Sequence, residues 1–170
     1  EVRLTDSMDH AGAPCTRAFE LAWLNSRFET GVKSPLDAAI LAHGAVDASG
    51  WTKCGEIPFD FERRRVAVVL ERDGARELIV KGAPEEVLRL CTEAPSEDIH
   101  QRIEALGAQG QRVLAVAHRS LPAGSGAISR EDERDLGFVG LLAFIDPPKL
   151  SAAKALGDLA ALGVTAKIVT

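Results

Sequence analysis

The residues of this chain that could do chemistry crowd into one stretch, 59–86, FDFERRRVAVVLERDGARELIVKGAPEE. It holds an aromatic ring at Phe59, guanidinium groups at Arg63, Arg64 and Arg65, and an ammonium at Lys81. Directly after Lys81 come Gly82 and Ala83, which have almost no side chain, so a flat ligand could lie against the backbone there. An aromatic face, a bare backbone and several cations together suit a nucleotide, with stacking for the base and positive charge for the phosphates. The same residues also make an ordinary hairpin, a helix start and a set of solvated charges. On residue types alone both readings stand.

Two apolar runs, 66–70 and 78–80, flank Asp73-Gly74, a dipeptide suited to a tight hairpin turn that needs positive φ. The second run leads into Lys81-Gly82-Ala83-Pro84-Glu85, where a strand hands over to a helix. Pro84 fits a first helical turn, where its missing N–H is no loss, and Glu85 and Glu86 follow where the helix dipole favours acids. That helix is expected to run to Cys91 with Val87 and Leu88 inward.

Around this stretch the chain alternates helix and strand signals. Residues 1–14 are polar and read as an irregular or extended lead-in. Thr16 is placed to cap a helix running to Phe28, with Phe19, Ala22, Trp23 and Leu24 on its inner face. Ser34-Pro35 opens a second helix, with Ser34 as N-cap and Asp37 in the first turn. Residues 48–55 read as a linker and 56–61 as a strand or extended entry; on a strand Phe59 and Phe61 would share a face, one of them as core, while Arg63 and Arg65 would point away as solvated charges. Ser96 is placed to cap a helix over 97–108, and Arg112 opens a buried strand, VLAVAHRSL. A loop over 122–134, an apolar strand over 136–145, a helix over 150–162 and a strand over 164–169 complete the chain.

At 170 residues with 46% hydrophobic and 26% charged residues, the composition is that of a globular protein with a real core. A net charge of −5 gives no general affinity for nucleic acid. Cys15, Cys54 and Cys91 are too dispersed for a zinc site or redox pair, which fits a reducing compartment. No apolar run approaches the roughly 20 residues that a bilayer span needs. Asp6, Asp9 and His10 read as solvated, so no metal site is expected. The opening on Glu1 rather than Met is what a piece of a longer protein would show.

Three motifs in order carry a resemblance. Lys81-Gly82-Ala83-Pro84-Glu85 resembles the KGAPE motif of P-type ion-pumping ATPases and follows an aromatic-plus-basic segment, as in that family. Asp146-Pro147-Pro148-Lys149 resembles the family's DPP[RK] hinge, and the terminal GVTAKIVT resembles the strand that runs into its TGD motif. The chain is thus similar to the nucleotide-binding domain over 1–149, followed by a fragment of the phosphorylation domain over 150–170. The resemblance implies an α+β fold, a twisted and mainly antiparallel sheet flanked by helices. It implies ATP as ligand, with Mg²⁺ in the full-length pump. Phe59 takes the position of the adenine-stacking aromatic and Asp37 that of the acid recognising the adenine amine. Arg64 and Lys81 take cationic positions near the nucleotide, with Gly82 and Ala83 beneath the base. Arg112 takes the position of an arginine that reaches the phosphates.

No catalytic residue is expected in these 170 residues, because neither the phosphorylated aspartate of DKTGT nor the metal-binding aspartate of TGD occurs in them. The expected partners are ATP and the phosphorylation and membrane domains of the same polypeptide, without direct membrane contact by this segment. The expected setting is the cytoplasmic side of an inner or plasma membrane protein. AWLNSRFETGVKSPLDAAI and EIPFDFERRR are most similar to bacterial magnesium-transporting ATPases. A proton or calcium pump, or a nucleotide-sensing module without transport, are the alternatives.

Overall fold

A computed structural model describes residues 1–93, 97–124, 126–147 and 150–167. Ser96, Pro148, Lys149 and the final three residues, each given a role above, lie outside the described residues. The architecture is one six-stranded sheet with a helical layer on each face. In chain order the elements are β1 (Arg3–Met8), α1 (Thr16–Phe28), α2 (Pro35–His43), β2 (Thr52–Ile57), β3 (Arg65–Arg72) and β4 (Ala75–Gly82). Then come α3 (Pro84–Leu88), α4 (Glu97–Ala108), β5 (Arg112–Leu121), β6 (Gly137–Ile145) and α5 (Leu150–Ala161). The strand order is β1-β6-β5-β4-β3-β2, and every neighbouring pair is antiparallel. The expected α+β class with an antiparallel sheet is what forms.

The hairpin of β3 and β4 sits inside the sheet. Arg72 pairs with Ala75 across the turn, with Asp73 at φ 52° and Gly74 at φ 78°. Two successive positive φ values match the right-handed twist of the strands, which explains the Asp-Gly pair. The run from Val66 to Leu70 is buried throughout because helices cover both faces. Val68, Leu70 and Ile79 meet Leu21, Leu24 and Ile40 of α1 and α2 on one face. Ala67, Val69, Leu78 and Val80 face the other way, with Val87, Ile103 and Leu106 in the cluster on that side.

Local signals decide the helix starts. At α2 the expected cap forms as a full capping box: Ser34 Oγ accepts from the Asp37 amide at 3.2 Å, and Asp37 Oδ2 accepts from the Ser34 amide at 2.9 Å. At α1 the expected cap is displaced by one residue. Cys15 occupies the N-cap position without a side-chain bond, and Thr16 is already helical. Cys15 is fixed instead through the backbone, its amide donating to Ser7 O at 2.9 Å while Ser7 Oγ donates to Cys15 O at 2.7 Å.

Several expectations are corrected. The lead-in, read as irregular or extended, is extended over β1, an edge strand paired with β6 with a register shift between Leu4 and Asp6. The linker over 48–55 already contains the start of β2, which ends at Ile57, so Phe59 and Phe61 lie beyond the strand. The helix after Pro84 stops at Leu88, short of Cys91. Residues 164–167 form no strand, and every described side chain from 151 to 167 is exposed. Leu156 and Leu162 of that helix and its continuation stand at 53% and 79% exposure.

Candidate functional site

Three elements and one loop converge at one end of the sheet: the C-terminal end of α1, the capping box of α2, the end of β4, and residues 58–64 after β2. Between them lies a cavity of about 600 Å³. Val32, Leu36, Pro58, Val66 and Leu114 supply apolar wall, and Glu29, Asp37, Glu56, Arg64 and Lys81 supply polar groups. A concave, largely apolar site with a few convergent polar groups is the usual form of a small-molecule site.

The floor is an ionic cluster. Lys81 is 4% exposed, its ammonium donating to Ser26 Oγ at 2.6 Å and to Asp37 Oδ1, with Glu29 Oε2 at 3.9 Å. Asn25 Nδ2 reaches Ile79 O at 2.9 Å, tying α1 to β4 just beneath. Burial would raise the Asp37 carboxyl, but the Lys81 charge and hydrogen bonds from Lys81 and Ser34 outweigh it and hold the group at about 2. At Glu29 the balance is reversed. Burial dominates over the opposing pull of Lys81 and pushes its carboxyl up to about 7. One cation therefore serves two buried acids and neutralises one.

The aromatic-basic loop departs most from expectation. Phe59 and Phe61 meet edge to face, with ring centroids 5.4 Å apart and planes at 83°. At 53% and 90% exposure neither is core, and both line the cavity. The expectation of one core and one ligand-facing ring is corrected to two open rings. Arg64 takes a left-handed conformation, φ 47°, which breaks the strand alternation. Its exposed guanidinium donates to Glu85 Oε1 at 2.6 Å, an ion pair on the surface and so weakly held.

Arg63 and Arg65 are not solvated. Arg63 is 7% exposed and donates to both oxygens of Glu133 (2.8 and 2.7 Å), to Asp60 (2.5 Å) and to Pro58 O (2.5 Å). Arg65 joins the same Glu133 at 2.9 and 3.2 Å. Glu133, 2% exposed, thus clamps the loop carrying Phe59 to the segment that precedes β6. The backbone adds a second tie, Ala83 N donating to Arg64 O at 2.9 Å.

Gly82 lines the cavity, but its missing side chain serves the protein's own fold. A Cβ there would sit 2.6 Å from Arg64 O and against Arg65, so only glycine lets β3 and β4 close at this corner. Of the residues singled out in the sequence, Asp37, Phe59, Arg64, Lys81 and Gly82 line the one cavity. Ala83 sits beside it as the N-cap of α3. Arg112 is exposed at the start of β5, two residues before the wall residue Leu114, and is not itself in the wall. Sequence reasoning missed Glu29 and Glu133. Glu29 did carry a signal, an acid at the C-terminal end of a helix where the dipole disfavours it. Glu133 had none, being one of several charges in a loop 70 residues from its partner.

Comparison with known proteins gives the family. The family model for the P-type ATPase cytoplasmic domain N matches residues 32–151. The chain is 42% identical, over its whole length, to the magnesium-transporting ATPase, P-type 1, of Salmonella typhimurium, and equally so to that of Escherichia coli K12. A calcium-transporting ATPase of Listeria monocytogenes is 29% identical over 68% of the chain and 14% of its own length. The chain spans about a fifth (21%) of the length of the magnesium-transporting relatives. Among the described residues no helix is long and apolar enough to cross a membrane. The chain belongs to the P-type ATPases, as their cytoplasmic N domain.

Proposed function

We propose that this chain is the ATP-binding domain of a magnesium-transporting P-type pump. The observation that carries the reading is the cavity that Phe59, Arg64, Lys81, Gly82 and Asp37 line together. Adenine stacks on Phe59 and enters between the apolar walls. Asp37 fixes the Lys81 ammonium at the floor, and Arg64, weakly tied at the surface, swings toward the phosphates. Arg112 approaches from the start of β5, and Ala83 extends the bare backbone beside Gly82. ATP enters with Mg²⁺ on its phosphates, and the γ-phosphoryl group passes to an aspartate carboxylate on the phosphorylation domain, leaving ADP. This chain's part is to hold and orient the nucleotide. Segment 1–149 forms the binding unit and 150–170 belongs to the phosphorylation domain, a division supported by the exposed side chains of α5. Magnesium is favoured over calcium by the higher identity and fuller coverage of the magnesium-transporting relatives.

With only one end of the ligand held, affinity should be on the order of 0.1 to several mM, about −4 to −5 kcal/mol. NMR shift mapping with ATP, GTP and inorganic phosphate tests the reading. ATP should perturb residues 29–37, 58–64 and 81–83, and phosphate alone should not. ATP shifts confined to other surfaces, or their absence at millimolar ligand, would overturn it.

A further inference from the structure

A second cavity lies at the far end of the same strands. β4 begins there with Arg76 and β5 ends there with Leu121, and these two residues pair across the ladder. Arg119 sits opposite Leu78, so Arg76 and Arg119 are diagonal neighbours on one face of the sheet, the face that carries Leu78, Val80 and Ala117 further along. With Arg134 they line a space of about 290 Å³, about half the volume of the nucleotide cavity. Leu121 and Ile128 give it an apolar wall, and Asp132 is the one acid in its lining among the described residues.

Three guanidinium groups brought together repel one another, and the protein's own acids answer them only in part. Asp132 turns its carboxylate into its own turn, where Oδ2 accepts from the Ser129 amide at 2.7 Å and from Ser129 Oγ at 3.0 Å. Asp135 stands 3.8 Å from Arg119 and 3.9 Å from Arg134, both beyond hydrogen-bond length, and its side chain is 67% exposed to screening water. Arg76 is buried and engaged within the protein, with Glu71 at 3.7 Å. Arg119 has five N–H donors. It gives one to Asp132 O at 2.8 Å, and its buried Nε has no hydrogen-bond partner among the described residues. In a chain with 25 acids against 20 lysines and arginines, this surplus of positive charge is a local arrangement.

We propose that this cavity is a second anion site, taking a small phosphate-type oxyanion. Arg119 and Arg134 donate to its oxygens, and Arg76 adds charge from the sheet beneath. The inference goes beyond the ATP-binding reading and does not depend on it. A planar guanidinium presents parallel N–H groups that match the oxygens of a phosphate. An apolar wall beside such groups focuses their field into the opening. The site is also held ready: Asp132 and Arg134 flank Glu133, which Arg63 and Arg65 fix in the clamp, so little ordering is left for the anion to impose.

The experiment is NMR shift mapping of the chain, Arg134→Gln and Arg119→Gln with inorganic phosphate at fixed ionic strength, with chloride as the control. In the parent, phosphate should move the amides of Arg76, 119–121 and 126–134 along saturating curves, with a Kd on the order of 1 mM. Residues 29–37, 58–64 and 81–83 should stay in place. Arg134→Gln, at an exposed position, should weaken phosphate binding severalfold and leave the ATP-induced shifts of the first cavity as in the parent. Arg119→Gln removes a charged donor and should weaken phosphate binding roughly tenfold. Should that variant not fold, Arg134→Gln decides alone. Shifts that chloride reproduces, shifts that do not saturate or lie elsewhere, or an Arg134→Gln chain that binds phosphate as the parent does would overturn the site. Phosphate binding here without ATP binding at the first cavity overturns the ATP-binding reading alone, and the reverse overturns this inference alone.

Discussion

Two buried ionic clusters flank the cavity, and they do opposite things. In the clamp, Arg63 and Arg65 face Glu133 and Asp60, with Arg130 also on Asp60 and Glu86 beside Arg65, three cations against three acids, and both Glu133 oxygens are engaged. In the floor, the buried Lys81 faces both Asp37 and Glu29 with Lys33 nearby, and burial drives Glu29 up to about 7. Balanced charges with saturated hydrogen bonds make a strut that holds Phe59 and Arg64 in place. The floor instead packs two acids around one buried ammonium, which shifts their titration in opposite directions beside the cavity, as is common at functional sites.

The sharpest way to break this comparison is at the clamp. Glu133→Ala removes the carboxylate shared by the buried Arg63 and the part-buried Arg65 and should cost about 3–5 kcal/mol of stability in chemical denaturation. A loss under about 1 kcal/mol would mean the clamp is a solvated surface pair after all. At the floor, Lys81→Ala should cost less, about 2–3 kcal/mol near neutrality, because Glu29 and Asp37 can take up protons in place of the lost cation. Its deficit should shrink as pH falls, whereas that of Glu133→Ala, left with arginines, should not shrink by that route.

A smaller effect is the pH dependence of the intact chain. Glu29 has a folded value, about 7, above its ordinary 4.5, so the folded state holds the extra proton between these values. Stability from this group is therefore full below about 4.5 and declines as pH rises through about 7. Asp37 runs the other way. Held at about 2 against an ordinary 3.8, it contributes fully above that value and is lost as pH falls through about 2. Glu29→Gln should flatten the neutral limb and leave the acid limb intact, as followed by thermal melts across pH. The smallest effect is expected from the tail. Removing residues 150–170 should change stability by no more than about 0.5 kcal/mol, since every described side chain from 151 to 167 is exposed.

What the sequence shows depends on how local the cause is. The β3–β4 hairpin is legible because Asp73-Gly74 and two uninterrupted apolar runs each act over a few residues, and α2 is legible because Ser34 and Asp37 cap it alone. β1 escaped notice because an edge strand with one face half open, Leu4 and Met8 buried among polar residues, has no alternation to find. The inward turn of Arg63 follows from the left-handed backbone at Arg64 and from Glu133 in a distant loop, neither of which periodicity reports. For the site, the motif resemblance located the cavity wall. It did not reveal that Asp37 spends its hydrogen bonds internally, or that Glu29 joins the same ionic cluster.

The most direct test of the central claim is an ATP titration of the chain beside Phe59→Ala, with the fold of each checked by thermal denaturation. At 53% exposure Phe59 carries little of the core, so the variant should melt as the parent does. Losing a stacking ring costs roughly 1–3 kcal/mol, which would weaken millimolar or submillimolar binding to near undetectable levels. A folded Phe59→Ala that binds ATP as tightly as the parent would contradict the account.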